Sequence, residues 1–186
     1  TAVVVPGYEM GEPGEDGERF TDNRRIEGNI PQMLDEAIAF VQKNMSVRTI
    51  IDDKTGKRRD KPEYPIKAVR EAILNALVHR DYLDYSRGVC IVVTEKSIEI
   101  SNPGAMSKGS KVYWQMKDFD PERRNPWLYQ RLITLDEKRR FLKSGLGMNR
   151  IKKALQDYGG VKFINLGKQN AFKVVLPRRK KDVKKK

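Results

Sequence analysis

A chain of 186 residues with 38% hydrophobic and 34% charged residues is long enough for one main domain with an appendage and too short for two full domains. The single cysteine, Cys90, excludes an internal disulfide, no apolar run reaches the roughly 20 residues of a membrane span, and no charged-then-apolar leader opens the chain, so a reducing cytoplasm is the expected setting. The net charge of +13 points toward polyanions, but seven cations against one acid, Asp182, fall within 178–186, in a basic tail that attracts any polyanion by counterion release or simply stays solvated.

Beginning at Thr1 on the strand-like run Thr1-Ala2-Val3-Val4-Val5, the chain reads as a segment of a longer protein. Gly11 to Asp22, rich in glycine, proline and acids, is expected to be a loop or linker, because it cannot bury enough surface to offset its ordering entropy. Met33, Leu34, Ala37, Ile38 and Val41 recur at helical spacing behind Pro31, which predicts a first helix to about Asn44. Val47 to Ile51 and Lys57 to Arg59 flank the turn residues 52–56 and predict a hairpin. A second helix is expected from Pro65 to about Tyr82, then strands at Gly88–Thr94 and Ser97–Ser101, with Cys90 a buried strand residue. Asn102 to Asn125 has no clean period, and a loop of that length is usually functional or mobile. Helices near Pro126–Leu135 and Met148–Tyr158 follow, then strands at Val161–Asn165 and Ala171–Leu176 around Gly167-Lys168-Gln169-Asn170. One-sided apolar stripes on the helices predict a two-layer α/β (α+β) sandwich with all helices on one face of a mixed sheet.

On the second helix, Ile66, Val69, Ile73 and Leu77 form the face that packs on the sheet. Glu71, Asn75 and His79, four apart, form a polar stripe beside the small Ala72 and Ala76. A carboxylate can orient and deprotonate a water, and an amide oxygen one turn away can ligate magnesium, which prefers hard oxygen ligands. Read alone, the same spacing also describes a solvated helix face. Asn102-Pro103-Gly104 closes a strand where ligands collect on many α/β sheets, or is only a turn. Gly145-Leu146-Gly147 precedes a helix whose backbone amides and dipole suit a phosphate, or is a plain loop. His79 and the Arg80-Asp81 pair either belong to a reactive site or cap the helix end.

Their order along the chain says more than each alone. The segments Arg70-Glu71-Ala72-Ile73-Leu74-Asn75-Ala76-Leu77-Val78-His79-Arg80-Asp81-Tyr82, Ile98-Glu99-Ile100-Ser101-Asn102-Pro103-Gly104, Arg124-Asn125-Pro126 and Gly145-Leu146-Gly147-Met148-Asn149-Arg150-Ile151 closely resemble the RecG-related helicase or transcriptional-regulator family of bacteria. The resemblance covers about Tyr64 to Leu176 and implies a divergent ATP-binding domain of the GHKL (gyrase, chaperone, histidine-kinase) type, with the Bergerat fold. It divides the chain into a linker and accessory segment at 1–63, of the kind that follows a Schlafen-like (AlbA-type) DNA-binding domain, the ATP-binding domain at 64–176, and a basic tail at 177–186.

What the resemblance implies falls on particular residues. Glu71 matches the glutamate that activates water, and Asn75 the asparagine that holds magnesium against the phosphates of ATP. Asn102 stands where an aspartate accepts from the adenine amine, and Gly104 matches the glycine after it. Gly145 and Gly147 match the glycine box near the phosphates, and Ala105–Arg124 matches the lid. The asparagine at 102 departs from the pattern, losing the charge while keeping an oxygen acceptor.

Three readings follow: a slow magnesium-dependent ATPase or switch, a degenerate fold serving as a non-catalytic DNA-associated module, and a plain nucleic-acid binder. The expected partners are ATP and DNA, the latter through neighbouring domains or the tail, with a homo-oligomer as a further option. The chain lacks the Gly-x-x-x-x-Gly-Lys-Ser/Thr loop of translocating helicases.

Overall fold

A computed structural model describes residues 1–52, 54–106, 123–136 and 147–179. Helix α1 (Ile30–Lys43) starts where the sequence provides a cap: the Asn29 side chain accepts from the Gln32 amide and Gln32 reaches back to the Asn29 amide, with Pro31 in the first turn. This reciprocal box satisfies two donors that a helix end leaves unpaired. Leu34, Ala37, Ile38, Phe40 and Val41 are its buried residues.

Helix α2 (Ile66–Val78) buries Ala68, Val69, Ala72, Ile73, Leu74, Ala76, Leu77 and Val78, more than the expected single stripe, because α1 and α4 as well as the sheet pack around it. It stops before the expected Tyr82. His79 is the C-cap, and the groups beyond it are taken by tertiary partners: the Asp81 amide donates to Pro103 O at 2.8 Å, and Asn125 Nδ2 donates to the carbonyls of Val78 and Arg80, both at 2.8 Å. Orphan carbonyls at a helix end need such partners.

Strands β1 (Ala2–Val4), β2 (Asp22–Arg24), β5 (Cys90–Val93), β6 (Ser97–Pro103), β7 (Lys162–Leu166) and β8 (Ala171–Pro177) form one mixed sheet in the order β2-β1-β5-β6-β8-β7. Only the β1–β5 pairing is parallel. The hairpin β3 (Val47–Ile51) and β4 (Arg58–Pro62) makes a separate two-stranded ribbon. Helices α3 (Pro126–Leu135) and α4 (Gly147–Ala154) complete the helices of the described residues. The helix expected to run to Tyr158 breaks after Ala154 into a 3₁₀ turn, Gln156–Tyr158, ahead of Gly159 at φ 101°.

Ala2, Ile91, Val93, Ile98, Ile100, Val174 and Leu176 face the helices and form one core with Leu34, Val69, Ile73, Ile151 and Leu155. A fully buried aliphatic side chain of this kind contributes roughly 1.5–3 kcal/mol, so this helix-covered face carries most of the stability. On the opposite face Val3, Val5 and Val92 form a small second cluster with the half-buried Cys90 packed against it. The architecture is the two-layer α+β sandwich with a mixed sheet that the helix stripes require. The stretch 1–63 places β1, β2 and α1 in this sheet and core.

Candidate functional site

Glu71 and Asn75 stand one turn apart on α2, both half-buried. Gly147, the first residue of α4, lies directly against them. A Cβ at position 147 would fall inside contact distance of Glu71 Oε1, 3.0 Å from Asn75 Nδ2 and 3.3 Å from Asn75 Oδ1. Only a glycine lets the start of α4 approach the pair this closely. Three of the residues expected at a common site, Glu71, Asn75 and Gly147, are therefore brought together from two helices.

The neighbourhood is cationic. Arg150, one turn further along α4, donates from Nη2 to Glu71 Oε1 at 3.1 Å, where the glutamate side chain is 15% exposed. Arg123 lies 4.7 Å from the Tyr129 ring centroid. Burial, reinforced by the charges of Arg123 and Arg124, pushes His79 below the ordinary imidazole value. Burial raises the Tyr129 phenol, with Arg123, Glu71 and Arg150 all acting on it. The Asn75 side chain makes no hydrogen bond among the described residues.

Asn102 and Gly104 belong to an adjoining cluster at the end of α2. Gly104 has φ +107°, and a Cβ there would stand 2.9 Å from Arg124 Nε and 3.2 Å from Asp81 Cβ. Its amide donates to Asn170 O at 2.7 Å, and the Asn170 side chain accepts from the Ala105 amide at 3.0 Å and donates to Asp81 Oδ2 at 3.2 Å. Arg124 donates to Ala105 O at 2.6 Å and pairs with Asp81 at 3.5 Å. Asn102 is buried, and its Nδ2 donates to Pro103 O at 2.9 Å, leaving Oδ1 as its acceptor. Gly145 and residues 107–122 of the expected lid lie outside the described residues, as do 180–186 of the tail.

Sequence reasoning assigned no role to Arg150, Arg124 or Asn170. The first two stand inside the resemblance segments. Asn170 carried a signal of its own in the turn after Gly167, since it is the sole non-glycine residue at positive φ among those described and asparagine tolerates that conformation.

Two clefts occur elsewhere. One of about 600 Å³ on the helix-free face of the sheet is lined by Tyr8, Lys96, Glu99, Gly159 and Lys173 among others, and one of about 120 Å³ lies between α1, α2 and β5. Neither is lined by Glu71 or Asn75. In the larger cleft Lys173 is already paired with Glu99 at 2.8 Å and Lys96 sits over the Tyr8 ring at 3.6 Å, and Lys162 lines it as well. Among the described residues no three acidic, histidine or cysteine side chains gather as a metal cluster, and no helix is long and apolar enough to cross a membrane.

Residues 87–176 match the family described as "Putative ATP-dependent DNA helicase recG C-terminal", which supports a RecG-related, ATPase-like domain over that stretch. The match includes Asn102, Gly104, Gly145 and Gly147 and begins after Glu71 and Asn75. The DIP2311 protein from Corynebacterium diphtheriae has a similar fold, with a TM-score of 0.71 at 19% identity over 96% of this chain and 34% of that one. The chain thus spans about a third of that relative's length. None of the curated proteins compared matches the chain.

Proposed function

We propose that this chain is the ATP-binding part of a bacterial, cytoplasmic, DNA-associated regulator, with a GHKL-type (Bergerat) nucleotide site whose phosphate end lies at Glu71, Asn75 and Gly147. The observation that carries this reading is the contact of Gly147 with both Glu71 and Asn75, which joins the glycine box to the Glu–Asn pair across 72 residues of sequence. The nucleotide-binding unit is the stretch 64–176, and 1–63 completes its sheet.

The residues present fit ATP with magnesium. Magnesium keeps several waters and takes one or two protein oxygens beside the phosphates, so Asn75, whose amide is uncommitted, suffices without an acidic cluster. Bound magnesium would supply charge neutralisation at the phosphates. Arg150 and Arg123 offer cations to the same phosphates, and Gly147 gives the backbone room to approach them. Glu71 orients and deprotonates the attacking water once Arg150 turns from it to the phosphates. At the other end Asn102 Oδ1 accepts from the adenine amine, and Gly104 keeps the backbone tight beside it.

A second reading rests on the Arg150–Glu71 ion pair. A glutamate held by a guanidinium and faced by Gly147 is poorly placed to take a proton, which favours a domain that binds nucleotide without hydrolysing it, or a degenerate module that only orients DNA-binding neighbours. Calorimetric titration with ATP, ADP and GTP, with and without magnesium, separates these readings. Magnesium-dependent ATP binding supports a live site, and no binding at millimolar nucleotide leaves the degenerate module.

A further inference from the structure

The β3–β4 ribbon stands apart from the main sheet, and most of its residues are exposed. Its register sets Arg48 opposite Lys61, Thr49 opposite Asp60, Ile50 opposite Arg59 and Ile51 opposite Arg58. Since side chains alternate between faces, charge is sorted by side. One face carries Arg48, Arg59 and Lys61 around the half-buried Ile50, and Lys57, two residues before Arg59, continues the row. The other carries Arg58 and Asp60 with Val47, Thr49 and Ile51, and there Asp60 accepts from Thr49 Oγ1 at 2.7 Å and Arg58 Nε at 2.9 Å. Asp52, two residues beyond Ile50, is committed to the backbone amides of Lys54 and Thr55 at 3.1 and 2.9 Å.

We propose that the Lys57, Arg59 and Lys61 face of this ribbon is a docking surface for the phosphate backbone of duplex DNA. Cations at two-residue steps recur about every 6.6–6.8 Å along a strand, and a two-stranded ribbon fits the roughly 12 Å major groove. The face has no aromatic residue to stack unpaired bases, as single-strand binders need. It exposes no large apolar anchor for lipid or for the centre of a protein interface.

The ribbon is also held at a cationic place. Ser46 and Glu63 bond to each other across its base, Glu63 pairs with Arg178, the Arg179 amide donates to Glu63 O at 3.2 Å, and Tyr158 OH donates to Pro62 O at 3.3 Å. The positive row therefore leaves the body beside Arg178 and Arg179. The proposal deepens the DNA-associated reading above and is independent of the nucleotide site.

The test is fluorescence anisotropy of a labelled short duplex of arbitrary sequence titrated with the whole chain between about 50 and 200 mM salt. Lys57→Ala/Arg59→Ala/Lys61→Ala should weaken binding at least tenfold and flatten the log–log salt slope by roughly two to three, about one per lost phosphate contact. Arg59→Ala alone should lower the slope by about one, whereas Arg58→Ala, of equal charge on the other face, should leave affinity and slope as in the wild type. Equal losses from Arg58→Ala and Arg59→Ala, or a triple variant that binds like the wild type, would overturn the proposal. So would an equal or larger loss on a single-stranded probe or on phosphatidylserine vesicles. Unchanged ATP titration of the triple variant keeps the fate of the nucleotide reading separate.

Discussion

Arg150 Nη2 donates to Glu71 Oε1 at 3.1 Å, so the carboxylate proposed to take a proton from water is held by a cation on the neighbouring helix. Removing Arg150 leaves a largely buried carboxylate without this partner, at a cost of about 1–3 kcal/mol. The arginine is itself 36% exposed, so solvent keeps the loss near the lower end. Arg150→Ala should accordingly lower Tm by about 2–4 °C for each kcal/mol in a chain of this size. Arg150→Ala/Glu71→Gln should recover part of it. Thermal melts of the single and double variants, giving a non-additive pair, check the ion pair directly.

Gly147→Ala sets two effects against each other. Alanine gains up to about 1 kcal/mol over glycine in a helix interior, and less at a first position. The new Cβ meets Glu71 Oε1 and the Asn75 amide, side-chain ends that can move aside. The expected outcome is a Tm close to that of the wild type with nucleotide binding lost, read by melts and titration on the same sample. A retained affinity would mean that Gly147 does not border the phosphates.

His79 is the only histidine of the chain, so one NMR titration reads it without assignment. Burial and the charges of Arg123 and Arg124 hold its folded pKa below the ordinary imidazole value of 6.5. The unfolded chain therefore binds more protons between the folded pKa and 6.5, and stability rises with pH through that window. It falls as pH drops below 6.5 and levels off beneath the folded pKa. His79→Gln should flatten this dependence in denaturant melts, and a His79 pKa at or above 6.5 would contradict it.

The elements with strong local period were legible in the sequence. The stripe of α1 behind Pro31, the stripe of α2, and the valine-rich β1 and β5 all announce themselves because burial on one side repeats every 3.6 or 2 residues. Strand β2 did not, since Asp22, Asn23 and Arg24 have neither apolar alternation nor β propensity. They form a strand because β1 lies beside them, and Asp22 ties them to Lys43 at 2.8 Å and Asn44 at 2.9 Å at the end of α1. The α2 terminus was overestimated for a similar reason: Asn125 and Pro103, far along the chain, take up the backbone groups that a longer helix would use.

Within the candidate site, helical spacing alone was enough to set Glu71 and Asn75 on one side of α2. Their meeting with Gly147 follows from how α4 packs on α2, which no local pattern encodes. The Arg150 pairing is tertiary in the same sense, joining residues 79 apart.

The central claim is that Asn75 supplies a ground-state ligand for magnesium at a nucleotide site. Calorimetric titration of the wild type and Asn75→Ala with ATP, each with and without magnesium, tests it most directly, because a lost ligand removes binding itself and a lost base removes only turnover. The account predicts that magnesium tightens ATP binding to the wild type and that this gain disappears in Asn75→Ala. The same magnesium-dependent gain in both proteins would contradict it, as would a wild type that binds no ATP at millimolar concentration.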